Sequence, residues 1–132
     1  MTSDDHPELI KSYRDLRVWQ EALNPAEMAY RLVATFPKDE LFGLTSQIRQ
    51  AASSVPANSA GGYGRGGRAT YVQFLRIAQG SLKELETHIL LAQRVDLLSN
   101  GATDPLLKKS DTVGRMLNRL IASLLAKRPP KL

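Results

Sequence analysis

Apolar residues in this chain recur every three or four positions and nowhere alternate in the two-residue rhythm of a strand. The first stripe runs Leu16, Trp19, Leu23, Ala26, Tyr30 and Val33, with Asp15 placed to cap the helix that carries it. A flanking stripe, Val18, Ala22, Ala29, Leu32 and Phe36, widens the apolar arc to about 160°, against the ~100° that one core contact uses. That width predicts two neighbours for the helix, within its own domain or in another subunit. Pro25 removes a backbone donor inside the pattern and predicts a kink; Phe36-Pro37 ends the helix.

A second helix is expected from Lys38 or Asp39, with Asp39 and Glu40 at the positive end of its dipole. Its stripe is Leu41, Leu44, Ile48, Ala51, Ala52 and Val55, and small residues crowd its second half, so its backbone can approach a neighbour closely. Pro56 predicts another kink, and the five glycines within residues 61–67 predict a break. The third stripe, Leu75, Ala78, Leu82, Leu85, Ile89 and Ala92, is the most regular, and Ser99-Asn100-Gly101 closes it. Asp104-Pro105 signals the start of a fourth helix carrying Leu106, Val113, Leu117, Leu120 and Leu124, which Arg128-Pro129-Pro130 stops. The expected fold is all-α: an antiparallel up-down-up-down four-helix bundle over residues 15–128, with polar tails at 1–14 and 129–132.

Composition narrows the chemistry. The 132 residues suit one domain, and the absence of cysteine excludes disulfides, thiolate metal sites and a cysteine nucleophile. No apolar run nears the roughly 18 residues of a membrane span, and the N-terminus lacks the apolar stretch of a secretory signal. A cytoplasmic protein with no membrane partner is the expectation. The net charge is +5, unevenly placed: residues 1–40 hold 5 Lys/Arg against 8 Asp/Glu, and the remainder hold 13 against 5. A concentrated basic region points to polyanions, or to a soluble surface that is merely basic.

Catalytic constellations are missing. A di-metal carboxylate bundle needs two Glu-x-x-His pairs, whereas this chain has only His6 and His88, with Glu84 four residues before His88. No serine sits in a Gly-x-Ser-x-Gly elbow, and the glycine run lies between two helices without the Gly-Lys-Ser/Thr ending of a phosphate loop. No enzyme, metal or cofactor is expected. The basic residues remain as candidates. Arg65 and Arg68 flank the glycine break, Arg76 and Lys83 lie seven apart off the core face of the third helix, and Arg49 occupies a similar place on the second. These five are the candidate nucleic-acid-binding residues, tracking a phosphate backbone with Tyr63 or Tyr71 to stack on a base. Arg49 has an alternative partner in Glu84 or Glu86 across the helices.

Several spaced motifs occur together in order: Leu16-x-Val18-Trp19; Phe36-Pro37 with Glu40; Leu44-x-x-Gln47-x-Arg49-x-Ala51-Ala52-x-Ser54-x-Pro56-x-Asn58; Gly62-x-Gly64-Arg65; and Phe74-Leu75-x-Ile77-Ala78-x-Gly80-Ser81-x-x-Glu84-Leu85. In these, over about residues 14–98, the chain resembles the four-helix bundle proteins encoded in 23S rRNA intervening sequences, the S23 ribosomal protein family. It is more distantly similar to the accessory variability determinant of diversity-generating retroelements. The resemblance implies a homopentameric ring with a central channel; in the retroelement relatives, the basic ring associates with nucleic acid and a reverse transcriptase. Arg49, Asn58, Arg65, Gly80, Ser81 and Glu84 match the pattern. The family's Asn-Ile-Ala-Glu-Gly run reads Asn58-Ser59-Ala60-Gly61-Gly62 here, which predicts a looser turn. Gly80 and Ser81 are expected to let helices approach closely. The resulting expectation is a non-enzymatic homo-oligomer, a pentamer by resemblance, that accompanies RNA or DNA. The alternative is a ring that docks a protein partner without nucleic acid.

Overall fold

The computed structural model describes residues 10–126, and among them are four α-helices and no strand. They are α1 (Arg17–Val33), α2 (Leu44–Arg65), α3 (Arg68–Arg94) and α4 (Asn100–Ala126). Each helix packs on its sequence neighbours, and α4 closes the square against α1. Only Gly66 and Gly67 separate α2 from α3, so those two helices run antiparallel. Both glycines have positive φ, 73° and 82°, where a side chain would strain the backbone. Ile48, Leu75, Leu82, Leu85, Ile89, Leu106, Val113 and Leu117 fill the centre.

The chain enters the bundle through an ordered cap. Most of the expected tail at 1–14, residues 1–9, lies outside the described residues, as does the tail at 129–132. Ile10 and Tyr13 pack against the core, and Tyr13–Asp15 form a 3-10 turn capped by Ser12. Asp15 does not cap α1. Its carboxylate accepts the Lys11 N–H at 2.8 Å and the Ser12 N–H at 3.2 Å, and these bonds hold its pKa below the ordinary value. Tyr13 then meets Trp19 edge-on at 5.1 Å.

Several boundaries and faces differ from expectation. Both apolar stripes of α1 reach the core, Leu16, Ala26 and Val33 from the first and Val18, Ala22 and Ala29 from the second, whereas Leu23 and Tyr30 of the first are exposed. The alanine side wins because it admits α2 and α4 at close range, leaving the larger residues facing out. The start of α2 is delayed from Lys38 to Leu44, because residues 38–40 make a 3-10 turn and leave Leu41 and Phe42 exposed. The glycine run does not break α2 at Gly61. Gly61, Gly62 and Gly64 are helical, so Asn58–Gly62 is no turn at all. A Cβ on Gly62 would lie 2.5 Å from the Cβ of Phe74, so glycine serves there as the seat of an aromatic side chain. At its end, α3 closes with Asp96 at φ 63°, and the Leu97 and Asp96 N–H groups return to the carbonyls of Ala92 and Gln93. Helix α4 begins at Asn100, four residues before Asp104, because the Ser99 hydroxyl accepts the Ala102 N–H.

Candidate nucleic-acid interface

The five candidate residues divide into an exposed group and one tucked side chain. Arg65 is the last residue of α2 and Arg68 the first of α3, so the hairpin turn holds both at one end of the bundle. Both are exposed, and the Arg65 guanidinium lies 5.0 Å from the centre of the Phe74 ring. Arg76 and Lys83 follow on α3, both exposed. Lys83 meets Glu86 at 3.2 Å in a pair whose lysine side is 74% exposed, which leaves the ammonium open to other anions.

Arg49 stands apart. Its guanidinium lies over Tyr30 of α1 at 5.7 Å, and its Nε is buried without a hydrogen-bond partner among the described residues. It does not reach Glu84 or Glu86; the Glu86 carboxylate takes Lys83 and the Ser110 hydroxyl instead. Arg49 faces α1, and the structure does not bring it together with the other four.

The tyrosines serve each other. Tyr63 and Tyr71 meet edge-on at 5.9 Å, and Tyr71 is buried, its hydroxyl unpartnered among the described residues. Burial pushes its pKa up to about 12. Tyr71 is therefore unable to stack on a base. The close-approach role expected for Gly80 and Ser81 splits too. Ser81 is buried, its hydroxyl 2.7 Å from that of Ser54 on α2, but nothing lies within 4 Å of a Cβ on Gly80.

Sequence reasoning missed the contribution of α4. Side-chain hydrogen bonds join Gln79 to Asn118, Glu86 to Ser110 and Gln93 to Thr103, fixing the antiparallel register of α3 and α4. Their α3 members recur every seven residues beside the apolar stripe, which is the signal that would have revealed the register. That register carries Arg115 towards Arg76 and Lys83. Arg115 Nε donates to Asp111 at 3.0 Å, and both side chains are mostly exposed.

Among the described residues no three His, Cys, Asp or Glu side chains cluster, and no helix is long and apolar enough to cross a membrane. The class defined by this architecture is a four-helix bundle with basic side chains along one hairpin and an apolar face on the opposite flank of α2. The sequence profile of the 23S rRNA-intervening sequence proteins matches residues 14–119, and the chain belongs to that family. The match takes in most of α4, beyond the residues 14–98 that carry the motifs. Among solved structures, the chain is similar to a protein of unknown function from the S23 ribosomal protein family of Bacteroides thetaiotaomicron. That likeness has a TM-score of 0.70 at 20% identity, covering 79% of this chain and 97% of the other. At that identity it speaks for the fold alone. No curated protein matches the chain.

Proposed function

We propose that this chain is a non-enzymatic accessory protein of the cytoplasm that associates with RNA or DNA as a homo-oligomer. The observation that carries the reading is the run of exposed cations, Arg65, Arg68, Arg76 and Lys83, from the hairpin turn along α3. Guanidinium and ammonium groups displaced along a helix edge neutralise successive backbone phosphates and release counterions, giving affinity that falls steeply with salt. Arg49 takes a different part here: it braces Tyr30 on the α1–α2 flank.

That flank supports self-association. Tyr30, Leu41 and Phe42 surround Arg49 at the surface, Phe42 is 92% exposed, and Leu23 lies one heptad earlier on α1. Large apolar side chains gathered this way mark a protein contact. A second copy is the partner we assign to them, and a ring of five is the assembly implied by the resemblance. Five copies at +5 each carry about +25, which strengthens the field at the exposed arginines.

Charge reversal at Arg65 and Arg68 together tests the reading. The double variant R65E/R68E is expected to lose about tenfold or more of its RNA affinity at low salt with helicity intact. Unchanged affinity would remove the hairpin from the interface. The same apolar flank favours a second reading, a scaffold that docks another protein. A pull-down that recovers one protein through nuclease treatment and is abolished by F42E would favour it.

A further inference from the structure

We infer that the groove between α3 and α4 is a phosphate seat, built by side chains from both helices over a floor kept open by Gly80 and Gly114. For the origin of the phosphate the inference rests on the nucleic-acid reading above. The groove has a volume of about 450 Å³. Arg76 and Lys83 line it from α3 and Arg115 from α4, against the single carboxylate of Asp111. Counting Glu86, which pairs with Lys83 from beside the groove, three cations face two carboxylates and leave one positive charge in excess for an anion to neutralise.

The floor explains why a phosphate can come close. A Cβ at Gly80 would meet nothing within 4 Å, and one at Gly114 would touch only the Leu82 side chain at 3.5 Å. Gly80 thus leaves open surface, while Gly114 sits against Leu82 of α3 and adds no side chain of its own to the groove. The joined amides of Gln79 and Asn118 lie on the same lining and offer N–H donors to a phosphate oxygen. The cations are held but not consumed. Arg115 uses its Nε–H on Asp111, leaving its terminal N–H groups, and Lys83 uses one of three ammonium protons on Glu86. Arg76 makes no hydrogen bond or ion pair among the described residues and is exposed. Exposed pairs of this kind exchange partners at little cost, so an incoming phosphate gains two fork-shaped guanidinium donors and an ammonium. The carboxylates of Asp111 and Glu86 hold the cationic side chains until then.

Gly80 allows a test that leaves packing alone. G80E places a carboxylate over the groove without a steric conflict, G80Q supplies the same bulk uncharged, and G80A supplies only a methyl. Affinity for a fluorescently labelled RNA hairpin is measured by anisotropy across a salt series, with R65E/R68E alongside and helicity checked for each. The expected result is a loss of about tenfold or more for G80E, a smaller loss for G80Q, which covers the floor without adding charge, and the smallest change for G80A. R115Q is expected to lower the slope of log affinity against log salt by about one. If G80E binds like the parent while R65E/R68E loses affinity, the groove is not a seat and the nucleic-acid reading stands without it. If the parent protein binds neither RNA nor DNA at low salt, that reading fails, and pyrophosphate decides the groove. Shifts of the Gly80 and Gly114 amide resonances on adding pyrophosphate, with the Gly114 shift lost in G80E, would keep a seat for free phosphates. Unmoved resonances would overturn it.

Discussion

Helix α3 makes two seams of opposite character. Towards α2 it is dry and close: Gly62 receives Phe74, Ala51, Ala52 and Val55 are buried, and the one polar side-chain bridge across it among the described residues is the Ser54–Ser81 hydroxyl pair at 2.7 Å. Towards α4 it is laced by polar contacts, Gln79 with Asn118, Glu86 with Ser110 and Gln93 with Thr103, and it opens into a groove beside Gly80. Glycine illustrates the difference. Gly62 lets an aromatic ring settle against a helix backbone, whereas Gly80 leaves surface that nothing in the chain fills. The lesson is that small residues do not by themselves announce tight packing. What stands opposite decides whether the missing side chain closes a contact or opens a site.

Substitutions can break or sharpen that contrast. The largest effect is expected from G62V, whose side chain must displace Phe74 at its own Cβ, with no flexible tip able to swing away. It should cost about 3 kcal/mol in urea unfolding, since overpacking forces both rotamers and backbone to shift. A smaller change follows at Tyr71, the buried hydroxyl left unpartnered on the dry seam. Y71F should stabilise the protein by about 1 kcal/mol at neutral pH, because a buried polar atom without a partner is costly. It should also flatten the alkaline limb. The folded Tyr71 has its pKa raised from 10.0 to about 12, so in that window the unfolded chain ionises first. Stability of the parent protein should therefore fall as pH rises from 10 to 12, and Y71F should fall less. Equal slopes in the two proteins would remove Tyr71 from the account. The smallest effect belongs to G80A, which should stabilise by up to ~1 kcal/mol because alanine is the better helix former and meets nothing. A destabilised G80A would mean that the open groove is occupied in the assembled protein.

Much of the bundle was legible in the sequence, and the exceptions have physical causes. The three-four stripe of α3 needed no revision, since Leu75, Ala78, Leu82, Leu85, Ile89 and Ala92 are all buried. On α1 two stripes of similar hydrophobicity competed, and periodicity alone does not choose between Leu23 with Tyr30 and Ala22 with Ala29. The choice is made by how closely the neighbours approach. The glycine run misled because local propensity expects a break at any cluster of glycines, while the tertiary partner Phe74 stabilises helix through Gly61, Gly62 and Gly64. Only the two residues with positive φ form the turn. Four of the five candidate cations are exposed as expected, but neither the tucked position of Arg49 against Tyr30 nor the partner Arg115 was legible. The place of Arg115 depends on the register of α3 against α4, which no single helix encodes.

Light scattering on nuclease-treated protein, alone and then with structured RNA or duplex DNA across a salt series, tests the central claim most directly. A particle near five times 14.6 kDa that gains nucleic-acid mass at low salt, and loses it steeply as salt rises, is the predicted result. A particle that takes up neither polymer even at low salt would contradict it.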